Sequence, residues 1–309
     1  MPADDRCLPF SGARVLPKDP RYDALCRGFN QRFAGKPAYI EVCGTAEQVR
    51  QAVQLAVDHS LRVTVRCGGH CYEGFVSDND GGVIIDLSPL RGVGKDRDGL
   101  YCVEGGCTLW DVYVQLYRRY GVTLPGGTCY SVGVGGHVPG GGYGALSRKF
   151  GLTIDYLFAV ELVHVTRQGK AAVVTARRDA AQETERELLW AHQGGGGGNF
   201  GVVTRFWFKD LPAAPERAYL VDIAWDWADI NRDGFRHLVG EYGKYFAEHS
   251  GVDSASKDLF AELHLNHRAA RQIGLVALTV GKEAGAVEAL VDRIKPPGVR
   301  VPAAKPYGR

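Results

Sequence analysis

Glycine in this chain is gathered rather than spread. Four clusters, at 68–69, 81–82, 126–144 and 194–201, each adjoin an apolar, strand-like run. The 41 glycines in 309 residues are nearly twice the usual share of ~7%. Glycine lets the main chain enter positive φ and leaves its N–H groups unshielded, and successive N–H groups in such turns form concavities that bind anions. A flexible linker would place its glycines in polar sequence. These clusters instead predict shaped loops between the elements of a folded domain, built to approach a ligand closely.

Composition narrows the class of protein. Hydrophobic content of 45% and charged content of 23% are those of a globular chain, and 309 residues suffice for two ordinary domains or one large one. A net charge of +2, with no Lys/Arg cluster interleaved with aromatics, argues against a nucleic-acid partner. No run reaches the ~20 apolar residues of a membrane-spanning helix. The Met1–Arg6 segment is acidic and lacks an apolar core, so it does not read as a signal peptide and a cytoplasmic location is expected. All eight cysteines fall within the first 129 residues. A chain of this length needs no disulfide framework, so reduced thiols are expected. Cys67, His70 and Cys71 lie close together, but no second ligand pair follows at zinc-site spacing, so no metal site is expected.

Periodicity and turn chemistry predict a mixed α+β chain. Strands are expected at 37–42, 61–65, 83–87, 100–104, 159–165, 172–174 and 201–208. Thr45 with Gln48 forms a capping box ahead of a helix carrying Val49, Ala52, Val53 and Ala56. Thr108 caps a second helix from Leu109 to Tyr120, which Gly121 ends. A short helix is expected at 185–192. Pro212-Ala213-Ala214-Pro215 reads as a hinge. Beyond it, strands at 218–225, 257–266 and 273–281 and helices at 229–249 and 283–295 predict a second domain without glycine-rich loops.

Two reactive side chains sit inside the glycine-rich stretches. His70 lies in Val65-Arg66-Cys67-Gly68-Gly69-His70-Cys71, and Cys129 in Pro125-Gly126-Gly127-Thr128-Cys129. Imidazole and thiol are natural nucleophiles toward an electrophilic cofactor ring. Gly140-x-Gly142-x-x-Ala145 fits a relaxed dinucleotide fingerprint, but a Pro/Gly loop rather than a strand precedes it, so a Rossmann fold is not expected.

The segments Arg66–Tyr72, Pro125–Leu152, Ile154-Asp155-Tyr156 and Gly194–Val203 resemble the bicovalently flavinylated oxidases of the vanillyl-alcohol-oxidase (PCMH) superfamily. The berberine-bridge-enzyme-like branch is the nearest in pattern, and within it the bacterial oxidases that include the glycopeptide hexose oxidases and aclacinomycin oxidoreductase. The resemblance covers residues 36–208. It implies a PCMH-type FAD-binding domain of two α+β subdomains over residues 1–211. A partial substrate domain with antiparallel sheet and helices would follow over 212–309, apparently truncated.

By the same resemblance FAD would be bound through two covalent links, His70 to the 8α-methyl and Cys129 to C6. Arg66, Gly68, Gly69 and Tyr72 would form the pyrophosphate loop, with Cys67 and Cys71 in the same stretch. Gly127, Thr128, Gly133, Gly135, Gly136, Gly141 and Gly142, with Leu152, would line the ring and ribityl chain. Asn199, Gly201 and Val203 would complete the adenosine and pyrophosphate side. Tyr143 falls where such oxidases place an active-site tyrosine, whereas His137 reads as a residue that holds the loop by hydrogen bonds.

The implied reaction is oxidation of an alcohol or hemiacetal on a sugar or glycosylated secondary metabolite. Hydride would pass to flavin N5 and O₂ would reoxidise the flavin to give hydrogen peroxide. These oxidases usually take their principal base, a tyrosine, from a C-terminal segment that this chain lacks. Two alternatives therefore stand beside the oxidase: oxidative cyclisation of an alkaloid- or polyketide-like substrate, and a flavin-binding fragment without turnover.

Overall fold

The fold starts from capped helices on which apolar faces can be hung. The Thr45 hydroxyl accepts from the Gln48 amide at 3.1 Å, and the Gln48 side chain in turn accepts from the Gly44 amide, opening the Ala46–Asp58 helix. Thr108 and Asp111 form the full reciprocal box ahead of the Leu109–Tyr120 helix, and Gly121 closes it in the left-handed region at φ 66°. The computed structural model describes residues 12–251, 253–281, 284–298 and 305–306. The readings of Met1–Arg6, of Cys7 and of a helix start at Glu283 lie outside the described residues.

The chain divides into two compact units, one of residues up to Tyr143 with Leu152–Pro212, the other of Gly144–Gly151 with the chain from Ala213 onward. The first unit holds two sheets. One contains β1 (Ala13–Val15), β2 (Tyr39–Val42), β3 (Val63–Arg66) and β4 (Val83–Asp86) in the order β1-β2-β4-β3. Both β2 and β3 run parallel to β4. The other contains β5 (Val93–Lys95), β6 (Tyr101–Glu104), β7 (Leu157–Val165), β8 (Ala171–Arg177) and β9 (Val202–Phe208), antiparallel in the order β5-β6-β9-β7-β8. Strands of three residues carry no readable alternation, which is why β1 and β5 were not expected.

The Ala46–Asp58 helix joins the two sheets. Its stripe of Val49, Ala52, Val53 and Ala56 packs in one core with Val83 and Ile85 of the first sheet and Val163, Ala171 and Val202 of the second. Each such valine, fully buried, contributes about 1.5–3 kcal/mol. The Gln54 amide locks the contact by donating to the Gly169 carbonyl and accepting from the Ala171 amide. A second core lies under the five-stranded sheet, where Leu109, Val112 and Leu116 meet Phe206, Phe208 and Leu162.

In the second unit β10 (Ala218–Asp226), β11 (Leu259–His264), β12 (Gln272–Val280) and β13 (Lys305–Pro306) form an antiparallel sheet ordered β11-β12-β10-β13. The helices Arg232–Glu248 and Gly285–Ile294 share a core with it through Leu238, Tyr245, Leu290, Ile223 and Leu275. Gly144–Gly151 is held in this unit by the Lys149–Asp258 ion pair at 2.8 Å and by Arg148, which donates to the His249 carbonyl. Among the described residues no helix is long and apolar enough to cross a membrane.

Candidate functional site

The site begins where β3 ends. Arg66 is in register with Asp86 of β4, and its Nη1 lies 2.5 Å from the wholly buried Asp86 carboxylate. The second Asp86 oxygen accepts from the Ser88 amide. Arg66 Nε is buried and has no hydrogen-bond acceptor. A buried donor of this kind costs free energy until a ligand supplies the acceptor. Gly69 then turns the chain at φ 72°, and its carbonyl accepts from the Phe29 amide at 2.7 Å. The Phe29 ring stacks on the His70 imidazole, centroids 5.1 Å apart and planes 17° from parallel.

The second loop lies against the first, main chain on main chain. A methyl group at Gly68 would lie 2.6 Å from the Ser131 carbonyl oxygen and collide with the Gly133 amide nitrogen, while one at Gly133 would strike Cys67 Sγ. Only glycine at both positions permits this approach. It sets Ser131 between the two reactive side chains: His70 Nε2 is 2.9 Å from Ser131 Oγ, and Cys129 Sγ is 3.7 Å from the same oxygen. Nδ1 of His70 carries no hydrogen bond to the described protein. Cys129 is exposed, and the seven described cysteines are unpaired.

Cys67 behaves differently from its neighbours. Its thiol points away from the loop surface and donates to the Gly105 carbonyl at 3.1 Å, and burial pushes it up to about 11. It packs the loop from behind. Cys71 is partly buried, and the Tyr72 ring is exposed while its carbonyl accepts from Asn30 Nδ2 at 2.6 Å.

His137 carries the Pro125–Cys129 stretch. Its Nε2 accepts from the Gly127 amide at 3.0 Å, and Tyr113 donates its hydroxyl to the Gly127 carbonyl. Burial lowers the His137 pKa, which favours the neutral ring that this acceptor role requires. Thr128 is exposed. Gly133, Gly135 and Gly136 open a short helical turn, and space beside Gly136 and Gly141 is unobstructed.

Gly141 and Gly142 both hold positive φ, and their carbonyls accept from the Ile154 and Thr153 amides. Leu152 precedes that turn, its amide bonded to Asp155. Tyr143 presents an exposed ring directly after the pair.

The last glycine cluster closes onto this segment. The amides of Gly194 and Gly196 both donate to the Pro139 carbonyl at 3.0 Å, and Gly197 abuts the main chain of Gly135 and Gly136. Asn199 folds its amide back onto the Gly195 carbonyl at 2.6 Å. Gly201, at φ 146°, passes so near β7 that a methyl group there would lie 2.6 Å from the Val163 carbonyl oxygen. Val203 points into the core, and its main chain is in register with Leu162 of β7.

Ser131, Phe29 and Asp86 had not been singled out from the sequence. Ser131 stands two residues after Cys129, and that proximity is its signal in the sequence. Phe29 is brought to His70 across 41 positions by packing alone. No three His, Cys, Asp or Glu side chains come together as a metal cluster among the described residues. The donor set suits a ligand with an anionic portion for Arg66 and the glycine amides. It also offers two nucleophiles and stacked aromatic surface to a planar ring.

Comparison with known proteins identifies that ligand class. Residues 37–174 match the FAD binding domain family. The chain is 42% identical over 287 residues to the aclacinomycin-N/aclacinomycin-A oxidase of Streptomyces galilaeus, covering 89% of this chain and 52% of that oxidase. A glycopeptide hexose oxidase solved in complex with teicoplanin superposes with TM-score 0.90 at 39% identity, over 97% of this chain and 65% of that one. A glucooligosaccharide oxidase from Acremonium strictum, described as carrying a 6-S-cysteinyl, 8α-N1-histidyl FAD, superposes with TM-score 0.76 at 26% identity, over 92% and 56%. The chain spans about half the length of the aclacinomycin oxidase.

Proposed function

From the match of residues 37–174 to the FAD binding domain family, we propose that the protein is an FAD-linked oxidase of an alcohol or hemiacetal on a sugar or glycosylated natural product. FAD is held by two covalent links, through His70 and through Cys129. The observation that carries the reading is the convergence of His70 and Cys129 on Ser131 Oγ, which places both nucleophiles at one end of a glycine-lined surface.

A flavin held here would supply an acceptor for a hydride that dioxygen can reoxidise with formation of hydrogen peroxide. The chain's own residues bind and orient. Arg66, steadied by Asp86, offers its unpartnered Nε to an anionic oxygen of the cofactor. The amides along Gly68–Gly69, and those of the 194–201 loop other than Gly194 and Gly196, whose hydrogens go to the Pro139 carbonyl, serve the same anionic portion. His70 and Cys129 would hold the ring covalently, and Phe29, stacked on the imidazole, limits rotation of the His70 ring. Tyr143, exposed beside the Gly141-Gly142 turn, contributes to the substrate side. Residues 212–309 contribute to a substrate domain.

The test is a denaturing one. Holoprotein precipitated with acid retains its yellow colour in the pellet, and the colour is lost in His70→Ala/Cys129→Ala. Peroxide release on a panel of hexoses, oligosaccharides and glycosylated aromatic polyketides follows. Colour in the pellet without peroxide on any of them identifies flavin binding without turnover and removes the oxidase reading. Peroxide with an aglycone but with no sugar moves the chemistry to oxidative cyclisation.

A further inference from the structure

Ser131 Oγ lies within reach of both reactive side chains, 2.9 Å from His70 Nε2 and 3.7 Å from Cys129 Sγ. We propose that Ser131 is the positioning residue for the histidyl link, holding His70 with Nε2–H donated to Ser131 Oγ so that Nδ1 alone presents a lone pair. The inference rests on the two-link reading given above.

The physical argument runs through tautomers. A neutral imidazole has one N–H and one lone pair, and the partner of one nitrogen decides the state of the other. Ser131 Oγ lies 2.9 Å from Nε2, while Phe29 stacked on the ring limits its rotation. With Nε2 protonated and engaged, Nδ1 is the nucleophile. The serine hydroxyl has a single hydrogen, and Cys129 Sγ lies 3.7 Å from Oγ, a contact in which either atom can donate; in the proposed arrangement the hydroxyl hydrogen is turned toward the sulfur. Oγ therefore keeps its lone pairs for the Nε2 hydrogen.

The covalent step balances in the same geometry. A bond forms between Nδ1 and the carbon of the 8α-methyl, and one C–H bond of that methyl breaks. Alkylation at Nδ1 leaves the imidazole cationic until Nε2 releases its proton to solvent, and until then Ser131 Oγ accepts the Nε2–H hydrogen bond. Two protons and two electrons leave in total, and dioxygen takes them up as hydrogen peroxide. Removing the serine leaves Nε2 without its hydrogen-bond partner, so either ring nitrogen can carry the lone pair.

The experiment uses holoprotein produced with FAD as wild type, Ser131→Ala and Ser131→Thr. Peptide mass spectrometry measures the flavinylated fraction at His70 and at Cys129, and NMR of the isolated aminoacyl flavin identifies the attached nitrogen. In wild type the link is to Nδ1. In Ser131→Ala the rate of His70 attachment falls about tenfold or more, as expected for a misplaced reacting group, and a mixture of Nδ1 and Nε2 adducts appears. Ser131→Thr, which keeps the hydroxyl, restores the rate and the Nδ1 adduct. Attachment in Ser131→Ala at the wild-type rate and through Nδ1 alone overturns the proposal, as does a wild-type adduct at Nε2. Wild-type protein with both side chains unmodified overturns the two-link reading itself and the role of Ser131 with it, and is recognised before any substitution is made.

Discussion

Gly68 and Gly133 meet main chain to main chain, with the Gly133 amide nitrogen filling the space that a side chain at Gly68 would take. Residues 65 positions apart in sequence are thereby locked at contact distance, and the loops bearing His70 and Cys129 follow. The contact tolerates no Cβ on either side. Its energetic consequences can be measured directly.

Gly68→Ala forces the two loops apart and is expected to destabilise the first unit by about 1–3 kcal/mol, the usual cost of overpacking. Flavin incorporation falls with it. Gly136→Ala is the control, since nothing obstructs that position; its stability stays within about 0.5 kcal/mol of wild type. Urea unfolding of the two variants side by side checks both, and equal midpoints would count against the close approach.

Asp86→Asn leaves the Arg66 guanidinium with a neutral partner in a nearly buried setting. Asp86→Ala removes the partner altogether, with an expected loss on the order of 3 kcal/mol for breaking a buried pair. Asn is expected to retain part of that. Denaturant titration reads the difference, and an Asp86→Ala variant as stable as wild type would show the pair to be ornamental.

His137 and His192 are both held below the ordinary histidine range by burial. A depressed folded-state value means that the unfolded chain binds the extra proton first. Stability is fully present above the unfolded value of about 6.5 and is lost as pH falls below it. His137→Gln removes the titration while keeping an acceptor for the Gly127 amide. The slope of unfolding free energy between about pH 6.5 and pH 5 is therefore expected to be shallower in that variant; an unchanged slope would exclude His137 from it.

The thiols set the opposite limb. Burial pushes Cys67 and Cys102 up to about 11 and Cys43 up to about 12. Their folded-state values are raised, so the stability they contribute is whole below the unfolded value of about 8.5 and declines as pH climbs from there toward about 11. Each thiol contributes up to about 1.4 kcal/mol per pH unit in that window. Cys102→Ala flattens the alkaline slope. In the same conditions a maleimide labels exposed Cys129 of flavin-free protein before Cys67, which peptide mapping resolves; labelling of Cys67 first would contradict its placement.

Much of the local architecture was legible because it is decided within a turn or two of chain. Thr108 with Asp111 announces a helix start, and Gly121 its end, through hydrogen bonds that need no distant partner. The stripe Val49, Ala52, Val53 and Ala56 shows its helical period on its face. The glycine clusters, His70 and Cys129 were legible as loops built for a ligand, since only particular residue types satisfy positive φ and nucleophilic chemistry.

What the tertiary structure alone decided is which of these pieces meet. No periodicity tells that β2 and β3 flank β4 in parallel, or that Asp86 faces Arg66 across that register. Cys67 and His70, three residues apart in one motif, part company only when the chain folds: one thiol is sealed against the Gly105 carbonyl, and the imidazole is turned toward Ser131 and Phe29. Short-range rules read backbone conformation and capping, which depend on neighbours in sequence. Contact between Phe29 and His70, or between Gly68 and Gly133, depends on the burial of surface across the whole unit, which makes it a property of the folded chain and of no segment within it.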